Sequence, residues 1–134
     1  MGFKALIVDD VEANCRVLKA CLEPFDGHAD AVHEARAAID SFHNAWKLDA
    51  PYQVIFLDVK MPQIGGIKLL QILRTMEEKM NVPQERRARI IMVTCDSDSQ
   101  TQLESWEHGC DGYFVKPINR IKLSECLKKF GIIT

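Results

Sequence analysis

No stretch of this 134-residue chain approaches the ~20 consecutive apolar residues that a membrane span requires. The start, Met1-Gly2-Phe3-Lys4, lacks the basic, apolar, small-residue order of a secretion signal, so a cytoplasmic protein without membrane contact is expected. Basic charge is not in excess either: 17 Lys and Arg face 19 Asp and Glu, a formal net charge of −2. That balance argues against a globally basic nucleic-acid binder, and no direct nucleic-acid binding is expected. The five cysteines (Cys15, Cys21, Cys95, Cys110 and Cys126) are odd in number and never spaced C-x-x-C. Four scattered histidines form no H-E-x-x-H pairing, so zinc-ribbon, thioredoxin and zinc-protease readings have no support. Reduced, mostly buried thiols are the expectation. Repeats and low-complexity segments are absent too. What remains is a 47% hydrophobic chain with the size and apolar content for a single domain over 1–134.

Short apolar runs alternate with helical patterns along its length. Phe3 to Val8 is a strand that stops at Asp9-Asp10, after which Val11, Cys15, Leu18 and Leu22 draw one helical stripe that Pro24 ends. A weak strand at His28 to Val32 precedes a helix marked by Ala35, Ala38, Ile39, Phe42 and Trp46. Tyr52 to Leu57 is a strongly apolar third strand ending at Asp58. Gly65-Gly66 opens a helix striped by Leu69, Leu73, Met76 and Met80; the arginine-bearing segment 81–89 reads as a solvated loop or a partner contact. Ile90 to Val93 is a fourth strand ending at Thr94. The next helix, capped by Ser97 or Ser99 and stopped by Gly109, has chiefly Leu103 and Trp106 as apolar positions and should be the least buried. Gly112 to Val115 is a fifth strand ending at Lys116-Pro117, and Leu123, Cys126, Leu127 and Phe130 stripe the last helix.

Strands alternating with helices, several of them apolar without period-two alternation, predict an α/β fold: a parallel sheet covered on both faces. Ligands in such sheets bind off the carboxyl ends of the strands, which makes the strand ends the place to look for chemistry. Here they carry Asp9, Asp10, Asp58, Thr94 and Lys116. Three neighbouring carboxylates repel one another unless protons or a metal intervene, and an oxygen-liganded Mg²⁺ is the economical solution. A lysine opposite it suits an anion, and the whole set suits phosphoryl transfer. Singly, each residue is as well explained as a helix cap or a solvated strand end. Together, at successive strand ends, they point to one site.

Leu6-Ile7-Val8-Asp9-Asp10, Ile55-Phe56-Leu57-Asp58-Val59-Lys60-Met61-Pro62, Ile91-Met92-Val93-Thr94 and Gly112-Tyr113-Phe114-Val115-Lys116-Pro117 follow in this order over nearly the whole chain. In them the sequence resembles the response-regulator receiver domain of two-component signalling, the chemotaxis-receiver type. The resemblance implies a flavodoxin-like doubly wound (βα)5 fold with sheet order 2-1-3-4-5. It implies Asp58 as the acceptor of a phosphoryl group from a histidine kinase or histidine phosphotransfer protein. Asp10, Asp58 and the backbone carbonyl of Lys60 would hold Mg²⁺, supported by Asp9, and Thr94 and Lys116 would bind the phosphoryl oxygens. Thr94 and Tyr113 would be the switch pair that reshapes the face of the fourth helix, fifth strand and fifth helix, where a downstream target docks. The Lys116-Pro117 bond would be cis. Such a protein is a signalling switch with self-phosphorylation and self-dephosphorylation chemistry rather than an enzyme.

The chain departs from that pattern in places. Gly65-Gly66 stands where Asp-Gly is common, which should loosen the entry to the third helix. Cys95 replaces a small Ala or Gly after Thr94, and with Lys60 and Asp96 it should border the water approach to Asp58. The stretches 41–53 and 80–89 look long and read as elongated solvated loops. The end at Thr134 suggests a receiver without an output domain, either stand-alone or the receiver part of a longer regulator or hybrid kinase. The alternative function, a Mg²⁺-dependent aspartyl-phosphate phosphatase of the haloacid dehalogenase type, expects D-x-D-x-[TV] after the first strand; Asp9-Asp10-Val11-Glu12 lacks it. A flavin module would need a Ser/Thr/Gly-rich loop there, which is also missing.

Overall fold

A computed structural model describes residues 2–95 and 98–134. Five strands, β1 (Phe3–Val8), β2 (Gly27–Val32), β3 (Val54–Asp58), β4 (Arg89–Thr94) and β5 (Gly112–Val115), alternate with five helices. These are α1 (Glu12–Leu22), α2 (Ala35–Lys47), α3 (Gly66–Lys79), α4 (Ser99–Glu107) and α5 (Arg120–Lys129). Every strand pair is parallel and the sheet order is β2-β1-β3-β4-β5.

The unbroken apolar runs follow from burial on both faces. Along β1, Phe3, Ala5 and Ile7 pack with Cys15, Leu18 and Leu22 of α1 and Leu123 and Leu127 of α5. The alternate residues Leu6 and Val8 pack with Ala38 and Phe42 of α2 and Leu69 and Leu73 of α3. β3 divides the same way, Val54 and Phe56 to one side, Ile55 and Leu57 to the other. Five positions on these two layers are Leu or Ile buried without residue exposure on β1, β3 and β4: Leu6, Ile55, Leu57, Ile90 and Ile91.

Several local expectations are corrected. Pro24 does not simply stop α1; it sits in a 3₁₀ turn, Glu23–Phe25, that continues the helix. β3 begins at Val54, while Tyr52 is buried outside the strand and donates its hydroxyl to Asp30 at 2.7 Å. The stretch 41–53 is not an elongated loop, because α2 runs to Lys47 with Phe42 and Ala45 buried. The segment 81–89 is largely exposed, as a solvated loop requires, and its arginines also contact the fold: Arg86 lies over the Trp46 ring and 3.8 Å from Asp49, Arg87 donates to the Val82 carbonyl, and Arg89 lies over Phe130. α4 is capped by Asp98, whose carboxylate accepts the Gln100 amide at 3.1 Å; Ser99 is the first helical residue and Ser97 lies outside the described residues. α4 is thinly packed as expected, with Ser105 its one buried residue and Leu103 and Trp106 half-exposed.

Gly66 makes the entry to α3 possible. A Cβ there would overlap the carbonyl oxygen of Asp58, so only glycine lets the helix start against the end of β3. No side chain caps α3, whose N-cap is Gly65. No helix among the described residues is long and apolar enough to cross a membrane.

Candidate functional site

The carboxyl ends of β1, β3, β4 and β5 meet in one crevice. Asp9 and Asp58 are buried there and Asp10 is exposed beside them, with carboxylate oxygens from all three within 4.8 Å of one another. The Lys116 ammonium reaches over from the end of β5, 2.8 Å from Asp9 Oδ2 and 3.7 Å from Asp58 Oδ1. Its approach is fixed from the backbone side too, where the Lys116 amide donates to the Thr94 carbonyl at 2.7 Å. The Lys116-Pro117 bond is cis. Thr94 is buried at the end of β4, and Tyr113 is half-buried on β5, paired in register with Met92 and packed on the α2–α3 side of the core. Lys60 is exposed in the loop after β3 and its amide hydrogen-bonds the Asp58 carboxylate. Of the nominated residues, Asp9, Asp10, Asp58 and Lys116 thus form one cluster, with Thr94, Tyr113 and Lys60 on the strand ends and loop around it. Asp96 lies outside the described residues.

Burial and crowding set the electrostatics of the cluster. Burial pushes the Asp58 carboxyl up to about 6, and the Asp9 charge adds to the rise; Lys116 and the Lys60 amide oppose it. Lys116 is itself raised: its burial works against the charge, but the hydrogen bond to Asp9 and the charge of Asp58 outweigh that. A carboxylate held at such discomfort, beside two others, is the donor set that a hard divalent cation relieves.

Asp9 is clamped at every polar atom. Oδ1 accepts the Val11 amide at 2.9 Å and Asn14 Nδ2 at 3.5 Å, while Oδ2 takes Lys116. Its amide donates to Val32 at 3.2 Å, and its carbonyl accepts His33 Nδ1 at 3.0 Å and the Cys15 thiol at 3.6 Å. Asn14 and His33 were not among the residues picked from the sequence. His33 had a signal, since it directly follows β2 and the strand-end rule applied there would have named it. A cavity of about 380 Å³ opens beside Asp58 and Lys116, between Asn14, Val17 and Leu18 of α1 and Pro117-Ile118 after β5, with Cys95 on its wall.

Residues 5–128 match the family model of the response regulator receiver domain. This chain belongs to that family. The chain is 30% identical over 128 residues to hybrid signal transduction histidine kinase L of Dictyostelium discoideum, covering 96% of this chain but 7% of that protein. Among solved structures, a two-component response regulator from Clostridium difficile is 26% identical with a TM-score of 0.77, covering 96% of this chain and 94% of that one. The receiver domain of Ssk1 from Saccharomyces cerevisiae, solved in complex with the histidine phosphotransfer protein Ypd1, shares the fold at 22% identity and a TM-score of 0.79, covering 97% and 89% of the two chains. The receiver thus spans a small fraction of the hybrid kinase it matches. The family is that of signalling receivers, and the phosphatase alternative has no support in it.

Proposed function

We propose that this receiver accepts a phosphoryl group on Asp58 from a phosphohistidine of a histidine kinase or phosphotransfer protein, and that the modification switches a docking face. The observation that carries this is the convergence of Asp9, Asp10, Asp58 and Lys116 in one crevice of a receiver fold. A carboxylate oxygen of Asp58 attacks phosphorus; the P–N bond of the donor breaks as the O–P bond forms, and the imidazole departs with the electron pair and takes up a proton. Asp9 already has both carboxylate oxygens engaged by Val11, Asn14 and Lys116, which leaves Asp58, with Lys116 3.7 Å away and the Lys60 amide on it, as the acceptor.

Mg²⁺ fits the donor set: Asp10, Asp58 and the Lys60 carbonyl would hold it, Asp9 would support it, and when bound it would neutralise charge on the transferring group. Lys116 stands close enough to Asp58 to pair with an added phosphoryl oxygen, and Thr94 would take another. Drawing Thr94 toward the new charge of about −1.5 to −2 frees space for the Tyr113 ring to turn inward. That motion reshapes the α4–β5–α5 face, where Leu103, Trp106, Val115 and Ile121 already expose apolar surface to a downstream target. The exposed Val17, on the wall of the cavity at Asp58, supplies apolar surface for the phosphohistidine partner. A cytoplasmic single domain with switch rather than enzyme activity completes the reading.

Acetyl phosphate and Mg²⁺ test it. Intact-mass analysis should show one phosphate adduct, lost in EDTA and in Asp58→Asn; equal labelling of Asp58→Asn would remove Asp58 as the acceptor.

A further inference from the structure

We infer that His33 is a positioning residue for the acidic site, holding the Asp9–Asp10 peptide so that the Asp10 carboxylate faces Asp58. The inference rests on the Mg²⁺ reading of that site. β1 and β2 pair in register from Phe3↔Gly27 to Val8↔Val32, and the Asp9 amide still donates to the Val32 carbonyl. Beyond that point β1 must leave the sheet to begin α1, so the backbone ladder cannot supply the next rung. The His33 imidazole supplies it, with Nδ1 3.0 Å from the Asp9 carbonyl oxygen. A carbonyl only accepts, so Nδ1 carries the proton and donates. The Cys15 thiol shares that oxygen at 3.6 Å, a weak donor that cannot replace a ring N–H.

The consequence reaches the neighbouring residue through the peptide plane. The Asp9 carbonyl and the Asp10 amide lie in one rigid unit, so fixing the oxygen fixes where the Asp10 backbone begins. Asp9 has its carboxylate held separately by Val11, Asn14 and Lys116. Asp10 is exposed, and its direction therefore depends more on that plane. Partners that orient a metal's ligands without touching the metal commonly set its affinity.

The test compares His33→Phe, which keeps a ring but has no donor, with His33→Asn, whose side-chain amide places a donor near the Nδ1 position. Mg²⁺ binding to each is measured by calorimetry, and metal-free melting temperature is recorded in EDTA. His33→Phe should weaken Mg²⁺ binding by about five- to tenfold, as expected for one well-placed hydrogen bond. His33→Asn should recover most of it, and the amide resonance of Asp10 should shift in His33→Phe but not in His33→Asn. Unchanged Mg²⁺ affinity in His33→Phe, or a loss that His33→Asn fails to restore, overturns the inference, whatever happens to the melting temperature. Should His33→Phe not fold, the same comparison of wild type with His33→Asn and His33→Ala decides: Ala weak and Asn near wild type supports it, all three alike overturns it. Absence of Mg²⁺ binding in the wild type would instead remove the site reading itself.

Discussion

Asp58 carries a conflict that only its surroundings create. Its carboxyl is held up at about 6 by burial and by Asp9, against an ordinary 3.8. The folded state therefore keeps its proton while the unfolded chain releases it, and this group's contribution to stability falls as pH rises from about 4 to about 6. In EDTA at pH 7, Asp58→Asn should be more stable than wild type by roughly 1–3 kcal/mol, the gap narrowing below pH 5; urea unfolding across pH measures it. Gly66 is constrained by shape instead of charge. Gly66→Ala forces the start of α3 off the Asp58 carbonyl, and should both lower the melting temperature and slow labelling by acetyl phosphate. Cys95 lines the opening beside Asp58, bulkier than the Ala or Gly common there. Cys95→Gly should speed phosphate release from labelled protein, by about three- to tenfold if the side chain blocks in-line water, and an unchanged rate would end the steric argument.

Among the elements, α3 does more than cover the sheet. Its Glu77 is wholly buried and paired with Arg74 at 2.6 Å, and it also accepts the Ala88 amide at 2.8 Å. Arg74 reaches on to Asp111 at 2.7 Å and to the carbonyls of Ala88 and Gly109. One side chain thus ties α3 to the start of β4 and to the turn between α4 and β5. Arg74→Leu leaves the Glu77 charge buried without its cation, and should cost about 3–5 kcal/mol in urea unfolding. The helix stripe pattern made Leu69 and Leu73 legible but hid Glu77, since an acidic residue reads as outward until a partner is seen. In α4 the few apolar positions predicted a thinly buried helix, and Leu103 and Trp106 are half-exposed, while the buried residue is Ser105, which donates its hydroxyl to the Thr101 carbonyl.

At the scale of the whole molecule, α4 is thinly packed, with Ser105 its one buried residue. Arg74 holds the turn after α4 through the Gly109 carbonyl, and the Lys116 amide ties the end of β5 to the Thr94 carbonyl beside the acceptor site. Phosphorylation should therefore be felt at Trp106 on α4 more than at Trp46, which packs under Arg86. In a Trp46→Phe background, acetyl phosphate with Mg²⁺ should change Trp106 emission, and Asp58→Asn should abolish the change. Emission that moves equally in Asp58→Asn would uncouple α4 from the acceptor.

The sequence alone was enough for the order of strands and helices, the two-faced burial of the sheet, and the residues at the ends of β1, β3, β4 and β5. Those features are local: apolar periodicity reports which faces are dry, and a parallel sheet sends its strand ends to one side whatever lies between them. Tertiary structure decided everything that depends on a partner distant along the chain. His33 touches Asp9 across 24 residues, Arg74 touches Asp111 across 37, and Lys116 touches Asp9 across 107. Such contacts leave no periodic trace, because each involves a single polar side chain whose role is set by what the fold brings within about 3 Å of it.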